Sequence, residues 1–235
     1  MFKRIVLFCA LFAVPAHAGT IVYQNDFESG MLGAQISGPG FIESSGGYSA
    51  VGFGNSFLHN SSGPLALEGV TIATTITLNN LPQHDSVDFG FLLALINSWD
   101  GDNVATNPDF FQVFLDGALL FEETFTTFDA FPQTASNVNR ILNPTQLGFN
   151  GVSNWLESAY DFTSFSAFTN IAHNSNSLTL SFTAAGAGWS GDTNESFGLD
   201  NISISLNGVT AVPEPAMFGI FGLGLLGLLR RRALF

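Results

Sequence analysis

Carboxylates and amides are the side chains of this 235-residue chain that could do chemistry. It carries 19 Asp and Glu against six Lys and Arg, with four His and one Cys. A hard cation is what such a set can hold. Calcium takes six to eight oxygens, which carboxylates, Asn carbonyls and the backbone supply without Cys or His. The acidic residues gather in three places: Asn25-Asp26-Phe27-Glu28-Ser29-Gly30, a group of Asp100, Asp102 and Asp109, and the run from Asp192 through Glu195 to Asp200-Asn201. The middle group departs from the EF-hand spacing, because Val104 stands where an acid or amide belongs and no Gly follows it. All three also read as turns, in which Asp and Asn serve for Asx turns and positive φ and no ion is needed.

Catalytic constellations are absent from the sequence. His59, His84 and His173 belong to no His-Glu-x-x-His motif, and Gly47-Tyr48-Ser49-Ala50-Val51 lacks the closing Gly of a nucleophile elbow. The rival worth weighing is a glycoside hydrolase with paired carboxylates, drawn from Glu122, Glu123 and Asp129. Adjacent residues on a strand point to opposite faces, and the Glu-x-Asp-x-x-Glu pattern of jelly-roll glucanases does not occur. The expectation is a protein that is not an enzyme. Sugar binding needs exposed aromatic faces flanked by Asn, Asp and Gln, for which the candidates are Trp99, Trp155 and Trp189. Each of them equally suits the role of a cap on the end of a core. With 25 Phe against three Tyr, most aromatic mass is core packing.

The basic residues are segregated. Lys3 and Arg4 open the chain, Arg230, Arg231 and Arg232 nearly close it, and from Gly19 to Ala211 Arg140 faces 18 carboxylates, a formal charge of −17. A phosphate backbone needs a basic face, so nucleic acid is excluded as a partner. Residues 1–18 follow a signal-peptide pattern: Lys3-Arg4, an apolar run Ile5–Val14, then Ala16-His17-Ala18 before Gly19. Signal peptidase is expected to cut after Ala18. Cys9 falls inside this leader, and Phe8 before it does not suit lipidation. The remaining chain has no cysteine, which rules out disulfides, thiol catalysis and Cys-ligated zinc.

The C-terminus reads Val212-Pro213-Glu214-Pro215, an apolar run Ala216–Leu229, and the arginine cluster Arg230-Arg231-Arg232. As a helix the apolar run rises about 21 Å, short of a hydrocarbon core of about 30 Å. The arginines snorkel and stay cytoplasmic. Gly219, Gly222, Gly224 and Gly227 offer a face for close packing against another membrane helix. These three parts in order resemble the PEP-CTERM sorting signal. The resemblance covers residues 212–235 and implies recognition by an exosortase, a membrane transpeptidase of Gram-negative bacteria, with cleavage near Pro213–Pro215. It further implies export across the inner membrane, transient anchoring there, and delivery to the surface or extracellular matrix of an exopolysaccharide-making cell.

Between these signals, residues 19–211 must position the acidic groups, and they carry strand patterning. Candidate strands are Thr20–Gln24, Phe57–Asn60, Val70–Leu78, Ser86–Ile96, Phe110–Leu115, Ala118–Phe125, Phe162–Phe168, Leu178–Thr183 and Phe197–Leu206. Ile72, Ile76 and Leu78 share one parity and Thr71, Thr75 and Thr77 the other, so each strand is expected to have one core face and one wet face. Asp116-Gly117 marks a hairpin turn. Pro132–Asn154 shows no alternation and is expected to be a long loop. An antiparallel two-sheet β-sandwich of jelly-roll type follows.

The acidic stretches at the two ends of this domain are similar to the terminal strands of carbohydrate-binding-module-like and lectin-like jelly rolls. In those folds acidic side chains there often hold a structural calcium. The resemblance implies Glu28 and Asp200 as ligands, with Asp26 and Asp192 behind them. The expected role is structural or adhesive within an exopolysaccharide matrix or biofilm, with a carbohydrate-binding module as the alternative and a jelly-roll hydrolase after it.

Overall fold

The computed structural model describes residues 19–63, 72–103, 108–149 and 155–209. The expected leader and sorting tail lie outside them. The strands in chain order are β1 (Thr20–Asn25), β2 (Ile36–Ser37), β3 (Phe41–Ser44), β4 (Ser56–Asn60), β5 (Thr74–Asn79), β6 (Ser86–Asn97) and β7 (Phe110–Leu115). They continue as β8 (Ala118–Thr124), β9 (Asn139–Thr145), β10 (Glu157–Asp161), β11 (Ile171–Ala172), β12 (Ser177–Ala185) and β13 (Glu195–Asn207). They form an antiparallel two-sheet sandwich. One sheet runs β3-β4-β13-β6-β10-β9, with β1 also on β13 and β11 also on β6; the other runs β2-β5-β12-β7-β8. Among the described residues no helix is long and apolar enough to cross a membrane.

Period-two alternation builds the inner faces. In β5, Ile76 and Leu78 are buried while Thr75 and Thr77 are only half-buried; Ile202, Ile204 and Leu206 do the same in β13, and Leu178, Leu180 and Phe182 in β12. Between the sheets lies a Phe-rich core that includes Phe91, Phe111, Phe125, Phe162, Phe168 and Phe182. At the β7–β8 hairpin, Asp116 (φ 50°) and Gly117 (φ 79°) both take the left-handed conformation that a two-residue turn of matching twist requires.

The structure corrects the expected one-dry, one-wet pattern in the larger sheet. β6 is buried along almost its whole length, and so are most of β10 and the first half of β13. A second apolar cluster lies over the outer face. Tyr48, Phe53 and Phe57 pack there on Leu92, Ala94 and Ile96 of β6, and Phe149 closes over them. Tyr48 belongs to a 3-10 segment, Gly46–Val51, between β3 and β4, and Phe53 follows it.

Two expected elements also change. Phe162–Phe168 is not a strand: β10 ends at Asp161, and a short 3-10 turn, Ser166–Phe168, follows. Phe162, Phe165 and Phe168 recur every third residue, which suits successive i→i+3 turns. Accordingly the amide of Phe165 donates to the Phe162 carbonyl (3.3 Å) and that of Phe168 to the Phe165 carbonyl (2.9 Å). The expected loop Pro132–Asn154 contains β9, an edge strand that tolerates Pro144 because one side of it has no ladder to feed.

Candidate functional site

Asp200 sits where β13 changes partner. On one side its first half pairs with β4 through Leu199, and its second half pairs with β1 from Ile202 onward. A bulge between Asp200 and Ser203, with Asn201 at φ 49°, marks the switch. The loops after β1 and before β4 therefore meet over Asp200. Phe27 anchors the first of them with a fully buried ring at φ 55°, leaving Asp26 and Glu28 on either side at the surface. Glu28 Oε1 accepts from the amides of Asn55 (2.6 Å) and Ser56 (3.1 Å), and Oε2 from Asn55 Nδ2 (2.7 Å). Gly54 permits this approach, since a Cβ there would overlap the Glu28 carboxylate. Asp200 Oδ2 accepts from the Gly54 amide (3.1 Å) and Oδ1 from the Asn201 amide (2.7 Å). Burial raises the Asp200 carboxyl to about 6, two backbone hydrogen bonds pull it down, and the charges of Glu28 and Asp26 push it up again. The Asn55 side chain and the Ser56 amide hold Glu28 below its usual range.

Asp26 and Glu28, two of the carboxylates singled out for calcium, thus stand close enough to a third, Asp200, for their charges to act on it. Their oxygens serve backbone amides, though. Among the described residues no group of three or more His, Cys, Asp or Glu side chains converges as a metal-binding set. Asp192 is not part of the gathering. It precedes β13 at the far end, its amide donating to the Ser61 carbonyl (2.7 Å). The five steps of strand from Glu195 to Asp200 alone span about 17 Å.

The second acidic group is rearranged as well. Asp109 is fully buried and receives the Asp100 amide on Oδ2 (2.7 Å), while its Oδ1 has no hydrogen-bond partner among the described residues. Asp102 is exposed, and its amide donates to the Pro132 carbonyl (2.7 Å). Glu195 takes its place, buried and accepting from the amides of Ser190 (2.7 Å) and Gly191 (3.4 Å). Burial raises Asp109 to about 8 against the Asp100 hydrogen bond, with the charges of Glu195 and Asp100 adding to the rise. Burial also raises Glu195.

Two of the three tryptophans are corrected from expected sugar platforms to core caps. Trp99 is fully buried, Trp189 is 4% exposed, and their rings pack with centroids 5.0 Å apart. Trp99 Nε1 donates to the Ser196 carbonyl (2.9 Å) and Trp189 Nε1 to the Ser62 carbonyl (3.3 Å), so each indole has its polar edge satisfied inside. Trp155 is half-buried and keeps some open surface.

The histidines and the lone arginine are spent on structure. His84 is buried; its Nδ1 donates to the Pro82 carbonyl (2.7 Å) and its Nε2 meets His173 Nδ1 (2.7 Å). His173 Nε2 donates to Asp116 Oδ2 (3.0 Å), so the pair ties two loops to the hairpin turn. Making all three contacts at once takes three ring protons, one more than two neutral imidazoles carry. His59 pairs with Glu43 across β3 and β4, and burial lowers its pKa. Arg140 donates to Tyr160 Oη (2.9 Å), Asp129 (3.1 Å) and Gln133 (3.0 Å).

One feature of the surface was missed in the sequence. β8 and β9 are the free edges of their two sheets on the same side of the sandwich. Between them two shallow hollows of about 310 and 230 Å³ meet at Asn137 and Phe165. Glu122 and Glu123 line the first; Asn139, Asp161, Ser164 and Ser166 line the second. Edge-to-face contacts with Phe121, Phe162 and Phe168, at centroid distances of 5.6, 5.3 and 5.1 Å, orient the Phe165 ring. The sequence signal was the Phe-x-x-Phe-x-x-Phe spacing, read as strand.

Set beside known proteins, the tail is decisive. Residues 211–233 match the PEP-CTERM protein-sorting motif. The PEP-CTERM motif implies export and sorting to the cell surface, with processing by an exosortase. It contains Pro213, Glu214 and Pro215, as well as Arg230, Arg231 and Arg232. No curated protein matches the chain.

Among solved structures, the chain is similar to the CBM22-1 xylan-binding domain from Paenibacillus barcinonensis Xyn10C. Identity is 15%, covering 84% of this chain and 99% of that one, with a TM-score of 0.36. It is also similar to the K3 cleaved adhesin domain of Lys-gingipain from Porphyromonas gingivalis w83, at 13% identity, 79% and 99% coverage and a TM-score of 0.34. A GH87 alpha-1,3-glucanase catalytic domain in complex with nigerose shares 14% identity over 78% of this chain and 28% of its own, with a TM-score of 0.31.

Proposed function

We propose that this is an exported protein, cut by signal peptidase after Ala18, processed by an exosortase at its PEP-CTERM tail, and held at the surface or in the exopolysaccharide matrix of a Gram-negative cell. Its role there is structural or adhesive and not catalytic. The observation that carries this reading is the sorting motif over residues 211–233. A non-catalytic role is supported by what the candidate acids do. Asp129 is paired with Arg140, and Glu122 accepts from Gln112 Nε2 (2.5 Å). The test is the mass of the secreted protein from producing cells with and without their exosortase. The expected result is a shortened C-terminus only where the exosortase is present; identical full-length tails in both strains would sink the reading.

Carbohydrate binding is the second reading, favoured by the groove between β8 and β9. Calcium is supported by electrostatics alone, through the charges of Asp26 and Glu28 acting on Asp200. A bound ion stabilises the folded state by mass action. The melting temperature is therefore expected to rise with calcium over chelator, and Asp200→Asn to shrink that rise. Superimposable melting curves would remove the metal.

A further inference from the structure

We propose that the groove between the edge strands β8 and β9 is a binding cleft for an uncharged polysaccharide chain, with Phe165 as its stacking platform. This deepens the reading of a matrix-held surface protein by naming the ligand class and the residues that would contact it.

The groove has the elements such a ligand needs. At its centre stands a half-buried aromatic ring, Phe165, held in orientation by three neighbouring rings. The C–H face of a pyranose packs on the electron-rich face of such a ring. Around it lie Asn137, Asn139, Ser164 and Ser166, whose side chains make no hydrogen bond to any described residue. Asp161 uses Oδ1 on the Thr163 amide (2.7 Å) and hydroxyl (2.6 Å), and its other oxygen accepts from no described residue. Sugar hydroxyls both donate and accept, and this mixture of amides, hydroxyls and carboxylate matches them.

Charge decides between classes of glycan. The groove is lined by Glu122, Glu123 and Asp161 and by no basic side chain. The surrounding domain holds only Arg140 as a counterweight, and that guanidinium is committed to Asp129. A uronate or sulfated polymer would be repelled, whereas a neutral one would not. Shape decides between a chain and a small molecule. Two adjoining hollows that share Asn137 and Phe165 give room for more than one sugar ring, which suits a polymer lying across them.

The test is affinity electrophoresis of the processed, secreted protein in gels containing dextran, a soluble β-glucan or polygalacturonate. Retardation in at least one neutral gel and none in polygalacturonate is expected. Phe165→Ala should weaken the retardation about tenfold or more. Because Phe165 also packs on the core, the paired change Asn137→Ala with Ser166→Ala, at exposed positions whose side chains hydrogen-bond to no described residue, provides a second variant that should fold normally and still weaken binding. Phe41→Ala, on β3 at the opposite end of the sheet from β9, should leave it unchanged. The proposal is overturned by absence of retardation in every neutral gel, by retardation that both groove variants retain, or by preference for polygalacturonate. Correct C-terminal processing of the same protein would show that such a failure belongs to the groove and not to the sorting reading.

Discussion

Asp109→Asn is expected to stabilise the domain at pH 8 and to flatten most of its loss of stability with rising pH. In the folded protein the Asp109 carboxyl is raised to about 8 from an ordinary 3.8, chiefly by burial. An acid raised on folding keeps its proton in the native state at pH values where the unfolded chain has released it. Stability is then fully present below the unfolded pKa and is lost as pH climbs from about 4 towards 8, at about 1.4 kcal/mol per unit. Glu195 is raised in the same direction and adds to the slope. The full excursion for Asp109 is on the order of 5 kcal/mol, an upper limit because other groups relax as it ionises. Asn keeps an acceptor for the Asp100 amide and has no charge to bury, so the variant should pull ahead of the parent progressively above neutrality. Urea unfolding of both proteins at pH 5 and pH 8 measures the difference. Equal slopes would mean that Asp109 ionises in a solvated setting.

Phe91→Ala is expected to cost about 3–5 kcal/mol, enough to leave a marginal sandwich largely unfolded. Phe91 projects from β6 into the middle of the core and is fully buried. It stacks on Phe162 at a centroid distance of 4.7 Å and meets Phe182 of β12 edge-on at 5.0 Å. Removing the ring strips contacts from both sheets at once and leaves a cavity that rigid aromatic neighbours close poorly. Phe91→Leu should cost much less, because it refills most of the volume. Phe41→Ala, on the edge strand β3 and 44% exposed, should change stability by about 0.5 kcal/mol or less. Chemical denaturation of the three variants tests the ranking. A small loss for Phe91→Ala would show that the core is looser than its ring packing implies.

The inner faces were legible where alternation was clean. Thr74–Asn79 and the second half of β13 follow the polar–apolar rhythm of their residues, and the Asp116-Gly117 hairpin follows from turn chemistry alone. The same rule failed for β6, because its outer face is covered by Tyr48 of a distant 3-10 segment and by Phe53 just after it, and no local period reports a cover supplied from elsewhere. It failed again at Phe162–Phe168, where a repeat of three was taken for a strand. β9 was hidden by Pro144, a residue that a free edge tolerates and a central strand does not.

What the amino-acid sequence determined by itself was whatever is read along the contiguous chain: the PEP-CTERM tail, the segregation of positive charge to the ends, and the strand-rich character of the domain. Which side chains share a site was decided by tertiary structure. β13 exchanges β4 for β1 at Asp200, and that switch brings Asp26 and Glu28 to it while leaving Asp192 at the far end. Burial turned Trp99 and Trp189 from candidate platforms into core, and two free sheet edges placed Phe165 in a groove. The physical reason is that register and cover depend on pairings between residues from tens to more than a hundred positions apart, whereas linear signals and alternation depend only on near neighbours.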